Sequence, residues 1–397
     1  MPDHASTEPR ASGSEPDPVA PRETDVEPRE GSENREEMPR VVFTRRRVLI
    51  SLLFVASAVA FLYFVLPRLL GLKETWNRIQ HGNGWWLAFA AVLEVCSFIG
   101  YIALFRAVFV RGKSRIDWRA SYEITMSGLA ATRLFASAGA GGIALTAWAL
   151  RRSGMEPRVV GCRMVAQLGL LYGVFMATLV VVGLGLYMGV IPGGGSFALT
   201  VVPALFGAIV IALFLSVSLL PGDFDRLVKR WTSDSGKIGR LAARAAAVPA
   251  TAATGIRTAI DLVRSKNLYL LGAIAWWGFD IAVLWACFHA FGASPPKGVI
   301  IMAYFIGMFG NTLPLPGGIG GVDGGMIGAL TAFGVGVQVS VVSVLAYRAF
   351  SFWLPTLPGA IAYLQLRRTV HRWQEEPASD APGGPGGVLS GASGRAS

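Results

Sequence analysis

Five charged side chains stand inside otherwise apolar stretches of this chain: Glu94, Arg133, Asp280, Asp323 and Arg348. A charge at bilayer depth costs roughly 2.5–3.5 kcal/mol on insertion scales, so each of the five requires a partner or a wet surface. Two are arginines, whose planar fork of donors matches the oxygens of a phosphate. The carboxylates of Asp280 and Asp323 are then suited to balance or switch that charge. The stretch NTLPLPGGIGGVDGG, residues 311–325, sets Asp323 behind Pro314, Pro316 and a glycine run that includes Gly317, Gly318 and Gly320. Proline removes a backbone donor and glycine favours non-helical conformations, so the helix must break there. Broken backbone persists at membrane depth only where protein covers it or where it lines a polar cavity. Amides exposed along Gly317 to Gly321 would face an anion.

Arg133 precedes a second glycine cluster, Gly139, Gly141 and Gly142. GLAATRLFASAGAGG from Gly128 lies on GMFGNTLPLPGGIGG from Gly307 without a gap, so that Gly139, Gly141 and Gly142 meet Gly318, Gly320 and Gly321. Two broken segments of this kind characterise transporters whose substrate sits near the midplane between repeats. A purely structural reading pairs the charges instead. Asp280 with Arg348, and Glu94 with Arg163, would then be buried ion pairs fixing one span against another.

The elements that must position these residues follow from composition. With 53% hydrophobic and 15% charged residues, the chain is a polytopic membrane protein and not a soluble domain. Six segments are long and apolar enough to cross: 48–66, 84–110, 159–190, 197–220, 268–291 and 339–365. Two more, 120–150 and 298–335, are interrupted by small residues. Basic flanks around 45–47, 111–119, 151–158 and 367–372 place both termini in the cytoplasm and make 120–150 re-enter from that side. The segment 298–335 then re-enters from the opposite side. The expected fold is therefore all-α, six full spans plus two broken re-entrant segments in an inverted repeat. Arg68, Lys73 and Arg78 on the outer side run against the charge rule.

Residues 1–39 hold eleven Asp/Glu against four Arg and form a disordered acidic tail; a polar tail follows at 374–397. The membrane domain, 40–373, carries 31 Lys/Arg against 11 Asp/Glu, which favours anionic lipid over nucleic acid as a partner. Its basic loop 222–267 places Ile256, Ile260 and Val263 on one helical face. Cys96, Cys162 and Cys287 and the four histidines are scattered, so neither a disulfide framework nor a metal site is expected, and no cofactor. Trp85, Trp86, Trp276, Trp277 and Trp353 are read as interface anchors or packing.

The arrangement of GLAATRLFASAGAGGIALTAWALRRSG, FGNTLPLPGGIGGVDGG and LAYRAF resembles the lysylphosphatidylglycerol synthase transmembrane-region family of flippase-like membrane proteins, over roughly residues 45–370. The resemblance implies a bacterial or archaeal inner-membrane protein that moves, or in some members modifies, lipids with phosphate head groups. It carries the family's second motif onto Asn311, Pro316, Gly317, Gly318, Gly320 and Asp323, and its last-span arginine onto Arg348. The family often has Glu where this chain has Asp323, and its first motif frequently includes a Pro and an acid that Ala136 to Ala144 lack. Synthase members append a soluble aminoacyl-transfer domain, whereas only a short polar tail follows Trp373, so aminoacyl transfer is not expected. The expected function is binding or translocation of an anionic phospholipid or lipid-linked head group in the bacterial cytoplasmic membrane. Arg133 and Arg348 would hold the head group, with Asp280 and Asp323 balancing the charge. The alternatives are a membrane-embedded transferase, with Glu94, Asp280 or Asp323 as base, and a non-catalytic scaffold.

Overall fold

The computed structural model describes residues 82–110, 114–134, 140–218, 251–313 and 318–375. The first expected span, the N-terminal tail, residues 219–250 of the basic region, residues 376–397, and Gly139, Pro316 and Gly317 lie outside the described residues. Regular structure among the described residues is helical: α1 Gly84–Phe109, α2 Trp118–Leu134, α3 Ala140–Arg152, α4 Pro157–Tyr187, α5 Phe197–Ser218, α6 Gly272–Ala290, α7 Lys297–Met308, α8 Gly321–Ala332, α9 Val337–Arg348 and α10 Thr356–Glu375. Five stretches are long and apolar enough to cross a membrane: Gly84–Phe109, Pro157–Tyr187, Phe197–Val217, Leu268–Ala290 and Val337–Glu375. These correspond to the five expected spans that fall within the described residues. Their apolar residues run all round each helix, leaving Val92, Val95 and Ile99 of α1 exposed as lipid-facing surface.

Helices α1 and α6 form the most extensive contact, and small residues make it close. A Cβ at Gly272 would stand 2.2 Å from the Gly100 carbonyl oxygen, so only glycine fits at this crossing. Further along, Ser97 Oγ donates to the Trp276 carbonyl at 2.9 Å. As the chain descends α1 from Gly100 to Ser97 it ascends α6 from Gly272 to Trp276, an antiparallel register. One more turn sets Glu94 opposite Asp280.

Each interrupted segment doubles back on itself. A Cβ at Gly142 would meet Thr132 Oγ1 at 2.1 Å and the Gly128 carbonyl oxygen at 2.4 Å, while one at Gly128 would meet Thr146 Oγ1 at 2.9 Å. Contacts that recede along α2 therefore advance along α3, and the two helices are antiparallel. In the second segment a Cβ at Gly310 would lie 2.2 Å from the Gly321 carbonyl carbon, and one at Gly307 would lie 2.2 Å from Met326 Cγ. Helices α7 and α8 are antiparallel by the same argument. With 17 and 13 residues, α2 and α3 are about 25 and 20 Å long, short of a 30 Å hydrocarbon core.

Two expectations need correction. The last span is not one uninterrupted helix over 339–365: α9 ends at Arg348, Ala349–Trp353 forms a π-helical turn, and α10 begins at Thr356 and runs to Glu375. Pro355 and Pro358 account for the break, since neither can donate to a preceding carbonyl. In the basic region, residues 251–264 are helical, but the buried stripe is Ala253, Ile256, Ala259 and Leu262, with Val263 exposed. That stripe packs on α4, where a Cβ at Gly255 would stand 2.6 Å from Val165.

Replacing Gly272 by Leu should force α1 and α6 apart and lower stability by about 1–3 kcal/mol. Gly278 of the same helix has open space where a Cβ would go, so Gly278→Ala should leave the protein unharmed. Thermal unfolding of the detergent-solubilised chain separates the two, and equal behaviour would refute the close crossing.

Candidate functional site

The register of α1 and α6 brings two carboxyl groups together inside the bundle. Glu94 is 1% exposed and Asp280 6%. Glu94 Oε2 is buried without a hydrogen-bond partner among the described residues. Asp280 Oδ2 accepts from the Tyr347 hydroxyl at 2.9 Å and from the Tyr304 hydroxyl. These tyrosines come from α9 and α7, so a single carboxylate ties the interrupted segment and the last span to α6.

Arg133 stands at the end of α2. Its Cζ lies 5.8 Å from the Phe98 ring. One guanidinium nitrogen, Nη1, is buried without a hydrogen-bond partner among the described residues.

Arg348, at the end of α9, is anchored differently. Its Nε stands 2.6 Å from Asp323 Oδ1, an ion contact close in distance but off the alignment of a hydrogen bond. Asp323 lies in the first turn of α8, where its Oδ2 accepts from the Gly320 amide at 2.8 Å. Gly320 adopts φ 85°, the left-handed region that suits glycine, and this lets the chain enter α8 with the carboxylate folded back over its own N-terminus. Arg348 Cζ also lies 5.1 Å from the Phe352 ring, on the π-helical turn.

A cavity of about 270 Å³ joins these groups. Arg133, Asp280, Asn311, Gly318 and Arg348 all line it, and so do the aromatic residues Tyr101, Tyr172, Trp276 and Trp277. Thr132 and Asn311, which coincide when the two glycine segments are laid together, lie on the same cavity. The other expected residues serve its frame. Asp323 stands behind Arg348, Gly320 caps α8, and Gly142 is a packing contact of α2 with α3. Gly141 is half-buried in the first turn of α3 and does not line the cavity.

The partners differ from those expected. Arg348 pairs with Asp323, and Asp280 is held by tyrosines. Arg163 donates from Nη1 to the Phe109 carbonyl at 2.9 Å, and Phe109 is roughly 22 Å along α1 from Glu94, so the Glu94–Arg163 pair does not form. Of the two roles expected for the tryptophans, Trp277 takes packing: it is buried, its Nε1 donating to the Leu171 carbonyl at 2.8 Å. Trp85, at the start of α1, is 86% exposed, as an anchor should be. The sequence reading missed Tyr304 and Tyr347. Their signal was a phenol inside an apolar helix, which needs a partner when buried.

The profile described as the lysylphosphatidylglycerol synthase TM region matches residues 48–359. The chain belongs to that family. Two matches to relatives named UPF0104 membrane protein, from Methanothermobacter thermautotrophicus strain Delta H, agree with a multi-pass membrane protein. One is 25% identical over 327 residues, 79% of this chain and 94% of the relative. The other is 32% identical over 112 residues, 27% of this chain and 31% of the relative. The family profile spans both interrupted segments, both cavity arginines and the π-helical turn after Arg348.

Removing one member of a buried ion pair leaves the other uncompensated, at a cost of about 3 kcal/mol or more. Asp323→Leu should therefore destabilise the protein strongly, and adding Arg348→Met should restore a large part of the loss. A double-mutant cycle on unfolding in detergent measures this, and strict additivity would refute the pairing.

Proposed function

We propose that this protein binds an anionic lipid through its phosphate and carries it across the membrane, with the cavity lined by Arg133, Asp280, Asn311, Gly318 and Arg348 as the head-group site. The observation that carries this reading is Arg133 Nη1, a buried donor with no acceptor among the described residues, on an arginine that lines the cavity together with a second one, Arg348. An unsatisfied buried donor costs about 1–3 kcal/mol, and a phosphate oxygen would satisfy it with a charge-assisted hydrogen bond. Formal charge supports the same ligand. Arg348 is offset by Asp323, and the cavity presents two guanidinium forks.

Movement follows from the hairpins. We take α2/α3 and α7/α8 as inverted repeats that enter from opposite faces, an arrangement supported by their antiparallel packing, by the alignment of their glycine clusters and by the shared cavity. Alternating access would then rock one hairpin against the other while the arginines keep the head group. The glycine run from Gly318 to Gly321 would add backbone amides. By the distribution of basic residues, both termini face the cytoplasm of a bacterial plasma membrane. The family's description names a synthase of a phospholipid, which fits a phosphate-bearing substrate.

Purified protein in liposomes should accelerate exchange of fluorescent phosphatidylglycerol between leaflets. Arg133→Ala should slow it about tenfold or more, the equivalent of one charge-assisted hydrogen bond. A rate no faster than protein-free liposomes would end this reading. Appearance of a new lipid species would favour the transferase instead.

A further inference from the structure

A second set of arginines lies at the opposite end of α2, away from the central cavity. Arg115 and Arg119 flank the start of α2, and Arg372 lies near the end of α10, which packs along it. These side chains line a separate cavity of about 180 Å³ together with Asp117, Thr369 and Trp373. The acids here are already engaged. Asp117 Oδ1 caps α2 by accepting from the Ala120 amide at 2.7 Å. Glu123, with no exposure, accepts from Arg119 Nε at 2.9 Å and from the Thr369 hydroxyl at 2.6 Å. The remaining two guanidinium groups meet only neutral acceptors among the described residues. Arg115 Nη1 donates to the Trp373 carbonyl at 3.2 Å, and Arg372 Nη2 donates to the Thr369 hydroxyl at 3.2 Å. Each uses one of its five donors there and forms no ion pair among the described residues.

We infer that Arg115 and Arg372 form a second binding site for the phosphate of an anionic phospholipid, separate from the central cavity and independent of any transport role. A lipid is favoured over a free anion by what surrounds the cavity. On α10, Leu357, Ile361 and Leu364 are exposed and follow helical spacing that continues through Arg368 to Arg372. An acyl chain lying along this stripe would bring its phosphate to the cavity. On the α2 side, Trp118 is 52% exposed, with Arg106 Cζ 4.2 Å from its ring. An indole so placed suits the level of lipid head groups.

Native mass spectrometry of the full chain, supplied in turn with phosphatidylglycerol, phosphatidylcholine and inorganic phosphate, tests the site. The unaltered protein should retain two phosphatidylglycerol molecules, one at each site, and R115Q/R372Q should retain the second at least fivefold less, while R133A keeps this adduct. Loss of the adduct in R133A alone would assign the bound lipid to the central cavity and overturn the second site. So would equal retention by R115Q/R372Q, or equal retention of phosphatidylcholine. Displacement of the lipid by inorganic phosphate at matched concentration would overturn the lipid assignment. Should the double variant insert poorly, R372Q alone and the fall in retention between about 0.05 and 0.5 M salt report the same contact. Retention unchanged by salt would contradict it.

Discussion

Backbone that leaves a helix inside an apolar bundle must find its covering in protein, and this chain meets that constraint by folding each broken segment back along itself. The passage of Gly310 beside Gly321, and of Gly142 beside Gly128 and Thr132, leaves no room for a Cβ between the two arms. Larger residues would hold the arms apart and open the turns to lipid. The glycines are therefore a packing device first. Because the arms close, Arg133 ends up at the mouth of one hairpin, and Asn311 and Gly318 at the mouth of the other, on one cavity.

The charges follow from the same closure. Asp323 caps α8 because the chain turns at Gly320, and in that position it meets Arg348. The π-helical turn after Arg348 ends α9 where the arginine reaches both Asp323 and the cavity. On the other side, Gly100 and Gly272 bring α1 and α6 close enough to set Glu94 against Asp280. Asp280 then gathers Tyr304 and Tyr347 from two further helices. A cation in the cavity wall is tolerable only because these carboxyls stand within its field.

Much of this was legible from the residues. Hydropathy located every span within the described residues, since length and apolarity are local properties. The cost of burying charge singled out Arg133, Asp280 and Arg348, and all three line the cavity. Partners were not legible, because sequence fixes the depth of a charge along a helix but not the direction it faces. Asp280 and Arg348 were thus matched by spacing, whereas the turn at Gly320 delivers Asp323 to Arg348 instead. Tyr304 and Tyr347 passed as packing residues because their rings are apolar and their hydroxyls are small. The interruption after Arg348 was missed for a related reason: the hydropathy of 339–365 stays high across Pro355 and Pro358. On 251–264 the alanines that form the buried stripe were overlooked in favour of larger side chains.

A shared midplane cavity requires hairpins that return to the face they entered. Single cysteines at Ser114 and Glu156 flank the first, and at Ser294 and Gln338 the second, all on exposed positions in a background lacking Cys96, Cys162 and Cys287. Labelling with a membrane-impermeant maleimide should modify 114 and 156 from one side of the membrane only, and 294 and 338 from the other only. Opposite sidedness of 114 and 156 would show that α2 and α3 together cross the bilayer, and would contradict the shared midplane cavity.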